Sequence, residues 1–183
     1  HGPRRLIQSG AEFQALAAQG FNRIPLMDQA FADLETPLSL YLKLAHVPSA
    51  GATTDPDSGK YSFLLESVVG GERFGRYSFI GLPARTLVRV TGFGTDARTE
   101  VVTDGVVVET STANPLDFIA SYQKRFKVAL RPGLPRFCGG LAGYFGYDAV
   151  RYIEKKLEAS CPPDELGCPD ILLLQCEELA VID

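Results

Sequence analysis

The sequence predicts an α+β domain: antiparallel β-sheets in a sandwich-like arrangement with three to four flanking helices. Three observations predict it. Short apolar segments of strand character recur from Tyr61 to Thr110, separated by turn signals. Capped, proline-initiated amphipathic segments flank them, at Thr36-Pro37 and at Asn114-Pro115. The composition, 45% hydrophobic and 22% charged over 183 residues, is ordinary for a globular chain and suits one moderate domain or one lobe of a larger protein.

Taken in order, Ser9-Gly10-Ala11-Glu12 has the form of a capping box and Gly20 closes the segment behind it, which predicts a helix near residues 10–18. Phe21 to Asp28 reads as a strand, placed at an edge or beside a bulge by Pro25. Thr36-Pro37 starts a helix running to about Leu44, with Leu38, Tyr41, Leu42 and Ala45 at helical spacing. Ser49 to Lys60 is rich in Gly, Thr, Asp, Ser and Pro and reads as a loop.

Tyr61–Ser67 and Phe74–Gly81 read as two strands around Gly70-Gly71, and Thr86 to Phe93 as a third. Arg98–Thr103 and Val106–Thr110 flank Asp104-Gly105, the strongest short hairpin signal in the chain. The expectation is a meander of about five antiparallel strands. Asn114-Pro115 then opens a helix with Leu116, Ile119, Tyr122 and Phe126 on one face. Lys124, Arg125 and Lys127 lie near its C-terminal end, where the helix dipole favours cations.

Phe137 to Asp148 is rich in glycine and aromatic residues. It lacks the Gly-Lys-Ser/Thr ending of a phosphate loop, so it reads as a strand in which glycine admits a close neighbour. A short helix over Ala149–Leu157 is expected to follow. Ile171–Leu174 and Leu179–Ile182 read as two strand segments or one long strand.

A net charge of −4 argues against a nucleic-acid or anionic-membrane surface, and no apolar run reaches the roughly 18 residues of a membrane helix. Cys138, Cys161, Cys168 and Cys176 form no C-x-x-C pair, which reads as buried free thiols in a reducing, cytoplasmic setting. His46 is the only interior histidine, and no nucleophile signature accompanies it. Adjacent acids at Glu177-Glu178 and Asp164-Glu165 point to opposite faces of a strand and read as solvated charge.

The stretch with chemical promise is Leu64-Leu65-Glu66-Ser67, followed by Arg76-Tyr77-Ser78-Phe79-Ile80-Gly81. A carboxylate, a hydroxyl and a guanidinium around one hairpin can hold a small zwitterion, the acid facing an ammonium and the base a carboxylate. The same residues equally describe a hairpin whose polar ends face water.

Taken together, the motifs resemble the N-terminal region of anthranilate synthase component I, the chorismate-using subunit that starts tryptophan biosynthesis. The stretches that carry the likeness are Thr36–Leu44, Phe63–Ser67, Gly75–Gly81 and Gly139–Asp148, with Asn114-Pro115-Leu116 and Cys168-Pro169-Asp170 in the same order. The resemblance covers about Phe21 to Asp183 and implies a regulatory region at 21–183, behind the helical segment read at 1–20 and ending before the chorismate-binding catalytic region. It implies that Leu65, Glu66, Ser67 and Val68, with Arg76, line the site where L-tryptophan inhibits the enzyme. It places no catalytic residue and no metal ligand in this stretch, since the magnesium-binding glutamates belong to the region beyond Asp183. The implied partners are that chorismate-binding region and a glutamine amidotransferase subunit.

The chain stops in an apolar strand, which reads as truncation of a longer protein, with apolar surface left exposed and self-association expected. Two other readings stand beside this one. Aminodeoxychorismate synthase, of the folate branch, shares the architecture, and a free-standing amino-acid-sensing module would need no attached enzyme.

Overall fold

The structure, a computed structural model, describes residues 10–45, 61–66, 77–160 and 164–183, without the side chains of 158 and 159. Helix α1 spans Gly10–Ala18 and α2 spans Pro37–Leu44. Strands β1 (Phe63–Leu65), β2 (Ser78–Gly81), β3 (Thr86–Thr91), β4 (Arg98–Thr103) and β5 (Val106–Ser111) follow. Helix α3 (Pro115–Gln123) precedes β6 (Gly140–Phe145), β7 (Ile171–Cys176) and β8 (Leu179–Ile182). All strand pairing is antiparallel, in a three-stranded sheet ordered β1-β2-β8 and a five-stranded sheet ordered β5-β4-β3-β7-β6. The α+β sandwich expectation holds.

The local signals act where they stand. Thr36 and Ser39 close a reciprocal capping box, with the Ser39 amide 3.0 Å from Oγ1 of Thr36 and the Thr36 amide 2.8 Å from Oγ of Ser39. Asn114 accepts from the amides of Leu116 and Asp117 at the head of α3. Asp104 and Gly105 both take positive φ, 49° and 79°, as the tight β4–β5 turn requires. Arg85 grips the Asp104 carboxylate with two hydrogen bonds of 3.0 and 2.6 Å.

The single meander expected from the strand run is corrected. β1 and β2 belong to the small sheet, while β3, β4 and β5 belong to the large one. The register shows how. Gly81 pairs with Leu179 in one sheet and Leu87 with Leu174 in the other. Residues 82–86 run between these pairs on one side, and residues 175–178, one fewer, on the other. Two long strands, β2–β3 and β7–β8, therefore bend together from one sheet into the next, with one extra residue on the outer path as in a bulge. Pro83, which has no amide hydrogen to give a ladder, sits in that bend.

Strand alternation then builds layers. Val88, Val90, Val101, Ile171 and Leu173 face α3 and pack with Phe118, Ile119 and Tyr122. Leu87, Val102, Leu174 and Cys176 face the other way and meet Tyr61, Phe63, Phe137 and Leu179 around the small sheet. Helix α2 lies against β1 and β2. Because the Phe63 face is already occupied, α2 covers the opposite face, to which Leu64 and the fully buried Ile80 belong.

Other expectations are corrected. Phe21–Asp28 is not a strand: it makes a single parallel bridge, Arg23 with Val128, and Pro25 denies it a further donor. Ala149–Leu157 is not an α-helix but lies in two 3-10 segments, Tyr147–Tyr152 and Lys155–Ser160. Arg151 holds these together, bonding Asp148 at 2.9 Å and the Leu157 carbonyl. Glu177 and Glu178 sit in the bend between β7 and β8 rather than within a strand. Of the thiols, Cys176 is buried, with its pKa pushed up to about 11 by burial, whereas Cys138 is half-buried and Cys168 exposed. Cys161, His46, the 49–60 loop and the Gly70-Gly71 turn lie outside the described residues.

The glycine-aromatic stretch behaves as expected. A Cβ on Gly143 would sit 1.9 Å from the Leu172 carbonyl oxygen of β7. Gly143→Ala is expected to cost about 3–5 kcal/mol in denaturant unfolding, because the clash is with backbone that cannot swing aside. Gly10→Ala, where a Cβ meets nothing, should cost nothing.

Asp170 joins β7 to the β3–β4 turn, accepting from the Gly92 amide at 3.1 Å, while Tyr152 donates to the Gly92 carbonyl at 2.9 Å. Burial, with help from Asp148 and Asp164, raises the Asp170 pKa above 3.8. A raised acid binds its proton more tightly in the fold, so its contribution is present below 3.8 and is lost as pH rises through the folded value. Asp170→Asn keeps an acceptor for Gly92 and removes the titration. Between about pH 4 and about pH 7 its stability should fall less, or rise more, than that of the parent chain.

Candidate functional site

The hairpin of β1 and β2 is where the predicted ligand residues gather. Phe63 pairs with Gly81, Leu64 with Ile80 and Leu65 with Phe79. Alternation therefore places Phe63, Leu65, Phe79 and Gly81 on one face and Leu64 and Ile80 on the other. The Phe63 ring lies over Gly81, so close that a Cβ there would be 2.1 Å from a ring carbon. Gly81 is thus a seat for an aromatic ring, and Phe63 fixes the register next to the site.

Leu65, at the C-terminal end of β1, is 56% exposed, and Glu66 follows it at the surface. The two are consecutive and both exposed at the C-terminal end of β1. Ser67, Val68 and Arg76 lie outside the described residues. The support beneath the rim is firm on both faces. On one, Phe79 packs edge-on against Phe137 at 6.0 Å and lies 6.4 Å from Tyr77. On the other, the Tyr41 hydroxyl of α2 lies 2.9 Å from the Ser62 hydroxyl at the start of β1.

Sequence reasoning missed Tyr41, Ser62 and Phe137 as supports of this hairpin. No local signal marks them: Tyr41 looks like one more apolar position of α2, and its partner is 21 residues away. What the arrangement offers chemically is an apolar side chain beside a solvent-facing carboxylate, held by a sheet with helix and sheet behind it. That combination suits an apolar molecule carrying a positive charge. Among the described residues no three His, Cys, Asp or Glu side chains converge to hold a metal ion. No helix among them is long and apolar enough to cross a membrane.

No protein-family model matches the chain. Curated proteins do. Anthranilate synthase component 1 of Pseudomonas putida is 53% identical over 173 residues, covering 94% of this chain and 32% of that protein. The same component of Neisseria meningitidis serogroup B is 51% identical over 178 residues, covering 96% of this chain and 33% of its own length. The chain belongs to the anthranilate synthase component 1 family.

Within that family the chain spans about a third of the length of the curated relatives it matches. A solved structure, anthranilate synthase component I from Streptococcus pneumoniae, aligns with a TM-score of 0.42 and 22% identity, over 84% of this chain and 29% of that one.

Proposed function

We propose that this chain is the regulatory part of an anthranilate synthase component 1, the cytoplasmic enzyme that converts chorismate to anthranilate in tryptophan biosynthesis. In this reading it carries part of the L-tryptophan feedback site. The observation that carries the reading is the rim of the β1–β2 hairpin, where exposed Leu65 and surface Glu66 stand side by side on a doubly supported strand. Leu65 covers the indole and Glu66 faces the α-ammonium group. In this reading Ser67, Val68 and Arg76 belong to the same site, the guanidinium serving the ligand carboxylate.

A ligand shifts an enzyme only through different contacts in its two arrangements, so the hairpin must meet the catalytic part differently with and without tryptophan. The chorismate-binding region, its magnesium ion and the glutamine amidotransferase subunit that supplies ammonia belong to the longer protein. This stretch alone forms no anthranilate.

Isothermal titration of L-tryptophan tests the site. Binding by the longer protein is expected, and in it Ser67→Ala and Glu66→Gln should each weaken affinity by about tenfold or more, since a hydrogen bond to a charged group contributes about 1.5–3 kcal/mol. Binding left unchanged by both substitutions would sink the assignment.

The surface that meets the rest of the enzyme is written in apolar exposure. Val106 and Val108 of β5, and Tyr144 and Phe145 of β6, are exposed at opposite edges of the large sheet. On its own the chain is expected to associate as concentration rises. A single monomeric species at every concentration in analytical ultracentrifugation would count against these edges as covered surfaces.

A further inference from the structure

The bend shared by β2–β3 and β7–β8 is the crossing at which hydrogen-bonded strands pass between the two sheets among the described residues. Two backbone hydrogen bonds hold the bend, from the Leu82 amide to the Glu178 carbonyl at 3.1 Å and from the Ala84 amide to the Tyr61 carbonyl at 2.9 Å, and Pro83 between them has no hydrogen to offer. The small sheet is made of strands of three, four and four residues. Its partly buried Phe63 and Leu179, with Tyr61 just ahead of β1, pack on the cluster shared with the large sheet, and Phe79 meets Phe137 beside them. A ladder interrupted at Pro83, and a shared cluster to which the small sheet contributes only partly buried side chains, mark this junction as the softer link between two units.

One side chain at the bend is gripped from both sides. Glu177 accepts from Gln175 Nε2 at 2.8 Å and meets the Arg23 guanidinium at 3.5 Å. Behind it the buried Tyr122 hydroxyl donates to Gln175 Oε1 at 2.7 Å, which ties the grip to α3. Arg23 is fixed in turn: it lies 4.8 Å above the Phe126 ring, and its carbonyl accepts from the Ala129 amide at 2.9 Å. Neighbouring Asn22 bonds both the Arg125 carbonyl and the Lys127 amide at 2.7 Å.

We propose that this bend is a hinge between the two sheets and that Glu177, held by Gln175 and Arg23, is the latch that sets its angle. The latch joins three parts of the molecule: the bend itself, the end of α3 and the segment around Arg23. Releasing it lets the β1-β2-β8 sheet open from the five-stranded sheet as a unit, while the five-stranded sheet, locked to α3 by its own core, stays closed. The inference concerns how the sheets move and holds whether or not the hairpin binds tryptophan.

Hydrogen exchange tests it with Glu177→Ala and Arg23→Ala, both surface substitutions that leave the core intact. In Glu177→Ala the amides of 78–81 and 179–182 should exchange about fivefold faster, the loss of one typical hydrogen bond, while those of β3 and β4 keep their rates. Arg23→Ala should give the same pattern more weakly, and Glu177→Gln, which retains an acceptor for Gln175, should restore most of the protection. Equal acceleration in both sheets, or unchanged exchange in the small sheet, would overturn the hinge. Should Glu177→Ala not fold, the pattern in Arg23→Ala decides by the same criterion.

Discussion

Two strands that each serve both sheets constrain everything else in this molecule. β2 runs into β3, and β7 into β8, in antiparallel contact on both sides of a bend that takes one more residue on the outer path than on the inner. Because side chains alternate along a strand, fixing that bend fixes which residues face which layer. Val88 and Val90 opposite Ile171 and Leu173 must look toward α3, and Leu87, Leu174 and Cys176 toward the small sheet. Gln175 falls on the α3 side for the same reason and finds Tyr122 there. A slip of one residue would point all of these the wrong way, so the extra residue in the 82–86 path is an obligatory part of the architecture.

The legible parts of the sequence were those whose causes are local. A threonine before proline with serine three positions on makes a capping box by its own chemistry, and Asp104-Gly105 makes a turn that few other pairs tolerate. Gly143 was readable as a place where something comes close, since glycine inside a strand pattern weakens it unless space is needed. The division into two sheets was not readable, because β1 to β5 look alike whether they pair as one meander or as two sets. What divides them is β7–β8, which arrives about 60 residues after β5 and inserts beside both β2 and β3. The segment from Phe21 to Asp28 failed for a related reason: its apolar residues match a strand, yet its one paired neighbour is Val128.

The candidate site divides along the same line. Leu65 and Glu66 were legible as an apolar residue and an acid at a strand end, and the structure puts both at the surface there. Their supports were not, since Tyr41, Ser62, Phe79 and Phe137 come from four separate places and reveal themselves only through contacts across the fold. A site on the rim of a small sheet gains its rigidity from the layers behind it.

The same geometry says what kind of site this is. A leucine more than half exposed buries too little of a ligand to hold an indole-sized molecule unaided, because pockets for such molecules enclose most of their surface. One wall supplied by a strand rim invites a second wall from elsewhere, and the ligand then lies between the two. A molecule bound at such a seam is sensitive to how the two sides are set, and in binding it sets them. Residues on the edge of a small sheet that joins a larger one through a bend are placed where a change in the setting of the two sheets would reach them.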